Sequence, residues 1–197
     1  MKIIAVAGGS GCGKTLFTSL LVERLSKTAV LPLDSYYYDR PDHISSENYD
    51  YDGSQAFDFE LYQQHLAKLT VGESVLKPNF VYETGKRSTK FAEIVPDEYL
   101  IIEGLHVLLH TKIRNFLSFS FYLESPLDVA VSRRCLRDIN DYELSAEYSL
   151  NQYLKFVRPV FFDQIQPTKK FADLIVENRY ETRLDCFIDN YLEDNEL

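Results

Sequence analysis

A glycine-rich octapeptide near the start of the chain is the stretch with the clearest chemistry. It reads GGSGCGKT over residues 8–15 and fills every fixed position of the pattern G-x-x-x-x-G-K-[ST]. Backbone N–H groups of such a loop turn toward a phosphate, the lysine reaches the outer phosphates, and the threonine hydroxyl can ligate Mg²⁺. The sequence therefore predicts a nucleotide site made of Gly8, Gly9, Ser10, Gly11, Cys12, Gly13, Lys14 and Thr15.

Two acidic residues follow apolar runs at positions that suit phosphoryl transfer. Glu103 closes the run YLIIEG, where its carboxylate would complete a magnesium site with Thr15. Asp34 ends the run AVLPLD, and in a parallel sheet it would emerge at the same edge as the phosphate loop. An aspartate there would orient and deprotonate an attacking hydroxyl. We interpret Glu103 as a metal ligand and Asp34 as a catalytic base; the alternatives are a solvent-facing acid and a turn cap.

Paired arginines form a second candidate phosphate contact. The segment SRRCLRD places Arg134 and Arg137 three residues apart on a predicted helix, so that they share one face. In a chain with a net charge of -9, such a pair before a polar gap is typical of a phosphate clamp at the root of a lid. We expect Arg137 to be catalytic together with Lys14, whereas Arg133 points elsewhere and is interpreted as part of a solvated helix face.

Apolar periodicity predicts the elements that must position these residues. Strands are expected at 2–7, 29–34, 98–104, 119–124 and 172–178, and helices at 14–26, 57–69, 126–139, 147–162 and 180–192. A hairpin is expected within 74–95, near the acceptor site, and a lid within 138–150. This alternation indicates an α/β fold over 1–197, a single domain with a mostly parallel sheet, helices on both faces and ligands at the carboxyl ends of the strands.

Composition excludes several classes of partner. The net charge of -9 argues against nucleic acid and against anionic membranes, because both recruit basic patches. No run approaches the roughly 18 apolar residues of a membrane span. The three cysteines are widely spaced without a CxxC pair, which fits a reducing compartment. We therefore expect a cytoplasmic protein with small-molecule substrates.

Together these residues resemble the uridine kinase (uridine-cytidine kinase) family of P-loop nucleoside kinases. The similarity runs through nearly the whole chain, in the segments GGSGCGKT, LDSYYYD, YDGSQAFDFEL, IIEG, SRRCLRDI and QYLKFVRPVFFDQIQPTKKFADLIV. The resemblance implies a P-loop NTPase fold and the transfer of a phosphoryl group from ATP or GTP, with Mg²⁺, to the 5′-hydroxyl of a nucleoside, uridine or cytidine first. A homo-oligomer is among the assemblies that the resemblance allows.

The resemblance also implies a role for individual side chains. Asp34 matches the catalytic base of the family and Glu103 its metal-site acid. Asp52 matches the aspartate that holds the sugar hydroxyls. Acceptor contacts fall on Gln152 and Arg134, and a phosphate contact falls on Arg137.

The chain departs from the family where the base of the nucleoside is read. The family uses a Tyr and a His in a stretch resembling P-x-Y-D-x-x-x-H-x-R, whereas this chain has PNFVYETGKR. Phe80 stands at the Tyr position and is the expected substrate contact there, and Gly85 stands at the His position. Loss of a hydrogen-bonding side chain weakens discrimination between bases. The sequence therefore leaves two kinds of acceptor possible: uridine or cytidine, or a different riboside or polyol.

The predicted lid also departs from the family, which typically carries arginines just after the RDI segment. Neither Lys nor Arg occurs between Arg137 and Lys155. An arginine on the developing phosphoryl charge can be worth about a thousandfold in rate, so a catalytically weak nucleotide-binding protein is the alternative to a kinase. A GTPase-like switch is disfavoured, because DYDG satisfies DxxG but no N-K-x-D motif follows.

Overall fold

Nine strands and seven α-helices make up the computed structural model, which describes residues 1–194. The strands are β1 (Lys2–Gly8), β2 (Thr28–Pro32), β3 (Val75–Lys77), β4 (Phe80–Val81), β5 (Lys86–Arg87), β6 (Ala92–Ile94), β7 (Tyr99–Gly104), β8 (Phe119–Glu124) and β9 (Leu174–Glu177). The helices are α1 (Lys14–Arg24), α2 (Phe59–Thr70), α3 (Thr111–Arg114), α4 (Leu127–Tyr142), α5 (Ala146–Gln152), α6 (Arg158–Val160) and α7 (Leu184–Asp194). The single domain predicted over 1–197 stays a prediction, and residues 195–197 lie outside the described part.

Five of the strands form one parallel sheet in the order β2-β7-β1-β8-β9. Both of its faces are covered, as continuous apolar strands require. On one face Ile3 packs in a cluster with residues of α2, and on the other Val6 packs with residues of α1 and α7. The predicted mostly parallel sheet with helices on both faces is confirmed.

The register of the sheet brings the candidate chemistry to one edge. Glu103 of β7 lies opposite Val6 of β1 and Pro32 of β2. Strand β2 ends at Pro32, two residues earlier than predicted, and Asp34 lies in the 3-10 turn Leu33–Tyr36 that follows. The phosphate loop leaves β1 at the same edge, so all three features meet at the carboxyl ends of the strands.

The segment 74–95 forms two antiparallel ribbons where one hairpin was predicted. Strand β3 pairs with β6, and between them β4 pairs with β5. In the inner ribbon Phe80 lies opposite Arg87. The inner turn, residues 82–85, carries the side chain of Tyr82 to the edge of the sheet where the chemistry lies.

The segment 138–150, where a lid was predicted, is largely helical. Helix α4 runs to Tyr142, past its predicted end, and α5 begins at Ala146 after a tight turn. Glu143 adopts a left-handed conformation with φ of 55°, and the Ser145 side chain accepts a hydrogen bond from the Tyr148 N–H. A lid role for this helical corner stays a prediction.

The helical run after this corner is longer than the predicted helix. It continues from α5 through the π-helical turns Tyr153–Val157 and Phe161–Ile165, with α6 between them, to a 3-10 turn at Gln166–Phe171. The last helix, α7, begins at Leu184 instead of residue 180. Within residues 1–194, none of these helices has the length and apolar character needed to cross a membrane.

Candidate active site

The phosphate loop joins β1 to the N-terminus of α1 in a shape that requires glycine. Gly11 has φ of 77°, and a Cβ added there would lie 2.1 Å from the Ala130 carbonyl oxygen. Gly13 has φ of 95° and supplies the residue before the first turn of α1. The ammonium of Lys14 donates a hydrogen bond to the Gly9 carbonyl oxygen at 2.9 Å. Loop and helix terminus together form a cradle for an anion.

One cleft of about 1110 Å³ lies over this loop and collects most of the predicted site residues. Those that line it are Ser10, Gly11, Gly13, Lys14, Thr15, Asp34, Asp52, Glu103, Arg134, Arg137 and Gln152. Gly8, Gly9 and Cys12 do not line the cleft, and Cys12 is buried beneath the loop. The predicted nucleotide, acceptor and metal residues therefore face a common space.

The Glu103 carboxylate is held at the end of β7 by α1. Thr18, which is buried, donates its hydroxyl to Glu103 Oε2 at 3.2 Å. Burial raises the pKa of Glu103; Lys14 opposes that rise and Asp34 adds to it. In the described part of the chain no group of three or more His, Cys, Asp or Glu residues could hold a metal by itself. Glu103 and Thr15 supply oxygen ligands beside a phosphate cradle, which fits Mg²⁺ shared with phosphate oxygens.

Asp34 lies in the cleft between the phosphate loop and the predicted acceptor residues. Its side chain is exposed to the cleft, and the surrounding protein atoms partly desolvate the carboxyl. This desolvation raises the pKa of the Asp34 carboxyl above its ordinary value of 3.8; Lys14 opposes the rise and Asp52 adds to it. The Tyr82 hydroxyl donates to Asp34 Oδ2 at 3.4 Å. Sequence reasoning missed Tyr82, which stands two residues after Phe80.

Arg134 joins the phosphate loop to Asp52. Its NH1 donates to Ser10 Oγ at 2.7 Å and to Asp52 Oδ1 at 3.2 Å. The Arg134 and Asp52 side chains are only 14% and 7% exposed. The sequence predicted Arg134 as an acceptor contact, whereas the structure makes it a bridge between the predicted donor and acceptor sides.

Asp138 is a buried site residue that sequence reasoning did not identify. It accepts hydrogen bonds from Ser149 Oγ at 2.6 Å and from Arg137 NH2 at 2.9 Å, and it lies 3.6 Å from Arg134 Nε. It thereby holds both arginines and ties α5 to α4. Its position four residues after Arg134 on one helix was the available signal.

Gln152 contacts the loop that precedes Asp52. Its Nε2 donates to the Glu47 carbonyl at 2.9 Å, and Lys155 Nζ donates to Asn48 Oδ1 at 2.7 Å. The helical run after α5 is thus fastened to the segment 46–48. Gln152 lies in the cleft as predicted, with its amide already engaged by backbone.

Phe80, the expected substrate contact, is not among the described residues that line the cleft, and a contact between Phe80 and substrate stays a prediction. Its ring packs 4.9 Å from the ring of Tyr37 and 5.3 Å from that of Tyr82, measured between centroids. Those two tyrosines and Tyr51 line the cleft instead. Phe80 packs against the core and contacts the rings of Tyr37 and Tyr82.

Gly85, at the position where the resemblance expects His, is tightly enclosed. Its φ is 67°, and an added Cβ would lie 2.8 Å from Arg40 Nε and 3.0 Å from Tyr51 Oη. The Arg40 N–H donates to the Gly85 carbonyl at 2.8 Å. The space of a side chain is therefore filled by Arg40.

Comparison with known proteins decides the family. A sequence model described as the phosphoribulokinase/uridine kinase family matches residues 3–184. The chain belongs to this family. A uridine kinase of Proteus mirabilis (strain HI4320) is 34% identical over 190 residues, which cover 92% of this chain and 89% of that protein. A uridine kinase of Macrococcus caseolyticus (strain JCSC5402) is 36% identical over 178 residues, which cover 88% of this chain and 86% of that protein.

A solved structure shares the fold of this chain. Phosphoribulokinase from Rhodobacter spheroides superposes with a TM-score of 0.68 at 14% identity, covering 93% of this chain and 72% of that one. The expected P-loop fold and the recognised family are confirmed. The enzyme class, a phosphotransferase with an alcohol acceptor, is confirmed at the level of the phosphoribulokinase/uridine kinase family, and the uridine kinase relatives support a nucleoside kinase that uses a nucleotide donor.

Proposed function

We propose that the protein transfers the γ-phosphoryl group of ATP or GTP to the 5′-hydroxyl of a nucleoside, with uridine and cytidine as first choices. The observation that carries this proposal is that a single cleft holds the phosphate loop, the Asp34 carboxylate and the Asp52–Arg134 pair. Phosphoryl transfer depends on positioning and on neutralising charge, and these groups serve both needs.

The donor side is formed by the phosphate loop and the start of α1. Lys14 leaves the Gly9 carbonyl to bind the outer phosphates, and the backbone N–H groups bind the inner ones. Thr15 and Glu103 would hold Mg²⁺, which would neutralise charge on the phosphate oxygens. The Thr18 hydrogen bond fixes the orientation of Glu103 for this role.

Asp34 is the proton acceptor in the proposed transfer. As the acceptor oxygen forms a bond with the γ-phosphorus, the bond from that phosphorus to the bridging oxygen of the diphosphate leaving group breaks. The hydroxyl proton passes to the Asp34 carboxylate. Its pKa, raised by desolvation in the cleft, makes it a better proton acceptor than a fully solvated aspartate.

The acceptor side favours a ligand with both a sugar and a ring. Asp52 accepts hydrogen bonds from sugar hydroxyls while Arg134 holds its carboxylate in place. The rings of Tyr37, Tyr51 and Tyr82 form an aromatic wall along the cleft, on which a base would stack. A simple polyol would leave that wall without a partner, so a nucleoside is preferred over the polyol alternative.

The predicted lid adds no cation to the basic side chains that line the cleft, which are Lys14, Arg133, Arg134, Arg137 and Arg183. Arg137 lines the cleft and is bound to Asp138, and the following segment supplies no Lys or Arg before Lys155. We therefore expect slower turnover than in a site whose lid carries arginines.

The test is ADP release from ATP and Mg²⁺ with uridine, cytidine, purine nucleosides, ribose and glycerol, against a control without acceptor. Stimulation by uridine or cytidine supports the proposal. Stimulation only by another riboside or by a polyol would show that the acceptor is not uridine or cytidine. No stimulation by any compound would favour a weakly catalytic nucleotide-binding protein.

A further inference from the structure

A second cavity of about 310 Å³ lies beside the phosphate loop, and we call it the side cavity. It lies among the loop, the ends of β8 and β9, the start of α4 and the π-helical run. Among the described residues that line it, only Ser10 also lines the cleft. The side cavity is therefore separate from the proposed site of phosphoryl transfer.

The walls of the side cavity are mainly aromatic and aliphatic. The rings come from Tyr122, Tyr153, Phe161 and Phe162. Three of these residues belong to the two π-helical turns Tyr153–Val157 and Phe161–Ile165. π-Helical turns are rare in proteins, and those that occur often lie at functional sites. Aromatic walls of this kind favour a flat ring that stacks against them or meets them edge to face.

Tyr122 lines the side cavity and carries a buried hydroxyl without a partner in the described part of the chain. Tyr122 is 1% exposed, and its Oη lacks a hydrogen-bond partner among the described residues. Buried polar groups are nearly always paired, so this hydroxyl is available to form a hydrogen bond with a ligand.

The charges at the rim are already compensated. Lys169 Nζ lies 2.6 Å from Glu124 Oε2, and Arg179 NH2 lies 2.8 Å from Glu177 Oε2. An anionic or cationic ligand would have to break one of these pairs. The side cavity therefore suits an uncharged ligand.

The side cavity also touches the backbone of the phosphate loop. A Cβ added at Gly9 would lie 3.0 Å from the Phe161 ring, so this ring packs directly on the loop. The same Gly9 offers its carbonyl to Lys14. A ligand that holds the Phe161 ring in place would therefore favour one shape of the loop.

We propose that the side cavity binds a small, uncharged, planar aromatic ligand through the Tyr122 hydroxyl, and that its occupancy strengthens nucleotide binding through Phe161 and Gly9. Binding in the side cavity is independent of the proposed function, whereas the effect on the nucleotide rests on it. By linkage, the nucleotide strengthens binding of the aromatic ligand by the same factor.

The test uses indole as the probe and cyclohexylmethanol, which is not planar, as its chemical control. Calorimetric titration of the full chain is expected to give a millimolar or tighter Kd for indole, which is reasonable for a ligand of this size, and no binding of the control. Tyr122→Phe keeps the ring and should weaken indole binding at least about threefold. Leu127→Trp fills the side cavity and should abolish it, whereas Tyr38→Phe, an exposed tyrosine outside both cavities, should change nothing.

The second readout is the Kd of a non-hydrolysable ATP analogue with and without saturating indole. We expect binding at least about threefold tighter with indole in the wild type, and no change in Leu127→Trp. Absence of indole binding, or equal binding in wild type and Leu127→Trp, overturns the site. An unchanged analogue Kd overturns the coupling, and failure of the analogue to bind without indole counts against the proposed function alone.

Discussion

The guanidinium of Arg134 donates to the carboxylate of Asp52 at 3.2 Å while the same NH1 atom donates to Ser10 of the phosphate loop. A single buried cation thereby contacts both halves of the proposed reaction. Since each contact restrains the other, donor and acceptor sites are expected to be energetically coupled.

Replacing Arg134 and Ser10 in separate variants should distinguish these two contacts. Arg134→Lys keeps the charge but lacks the planar fork, so the acceptor KM is expected to rise about tenfold or more. Ser10→Ala removes only the contact to the loop and should leave the acceptor KM within about threefold of wild type while raising the KM for ATP. Steady-state kinetics measures the KM for the acceptor and the KM for ATP in each variant. Equal effects of the two substitutions on both KM values would refute the bridging role of Arg134.

Asp34→Asn should remove the proton acceptor without disturbing the phosphate loop. We expect kcat to fall by about 10²–10⁴-fold, with the Kd for nucleotide nearly unchanged. Lys14→Ala is the contrasting variant, because it should impair both nucleotide binding and turnover. Pre-steady-state turnover and nucleotide titration measure the two quantities, and full activity of Asp34→Asn would eliminate the base assignment.

The rate should fall on the acid side as Asp34 becomes protonated. Because desolvation in the cleft raises the pKa of Asp34, the acid limb of the kcat profile should lie above pH 3.8. The Tyr82 hydrogen bond opposes that rise, so Tyr82→Phe should move the limb to higher pH. A pH profile of both proteins measures the shift. A limb that stays in place while kcat falls would give Tyr82 a purely structural role.

Asp138 should be important for stability, because it is buried and holds three side chains. Asp138→Ala leaves Ser149 and Arg137 without this partner and should lower the free energy of unfolding by about 2–4 kcal/mol. Ser149→Ala removes one hydrogen bond and should cost less. Urea unfolding of wild type and both variants measures these losses of stability. An unchanged unfolding midpoint for Asp138→Ala would contradict the stabilising role of Asp138.

Introducing a histidine at Gly85 should destabilise the chain instead of improving base reading. The left-handed backbone alone costs about 1–2 kcal/mol, and the clash with Arg40 adds to it. Gly72→His is the matched control, because Gly72 has φ of 86° but nothing within 4 Å of its added Cβ. Thermal unfolding should therefore show a larger loss for Gly85→His than for Gly72→His, with the same order for the two alanine variants, and equal losses would remove the steric argument.

Local patterns predicted much of the fold and of the site. The phosphate loop, the buried strand ending near Glu103 and the position of Asp34 after β2 all follow from short sequence signals. The Arg134–Ser10 contact spans 124 residues and the Tyr82–Asp34 contact spans 48, and no periodicity indicates such pairs. Tyr82 was missed for this reason, because its contact with Asp34 forms only in the folded chain.

The most direct measurement compares uridine with 5′-deoxyuridine as acceptors, with ATP and Mg²⁺. The two compounds share the base and the sugar diol and differ only in the reacting hydroxyl. We predict uridine 5′-monophosphate and matching ADP from uridine, and ADP at the level of the acceptor-free control from 5′-deoxyuridine. Equal ADP release with both compounds, or none above the control with uridine, would contradict transfer to the 5′-hydroxyl of uridine.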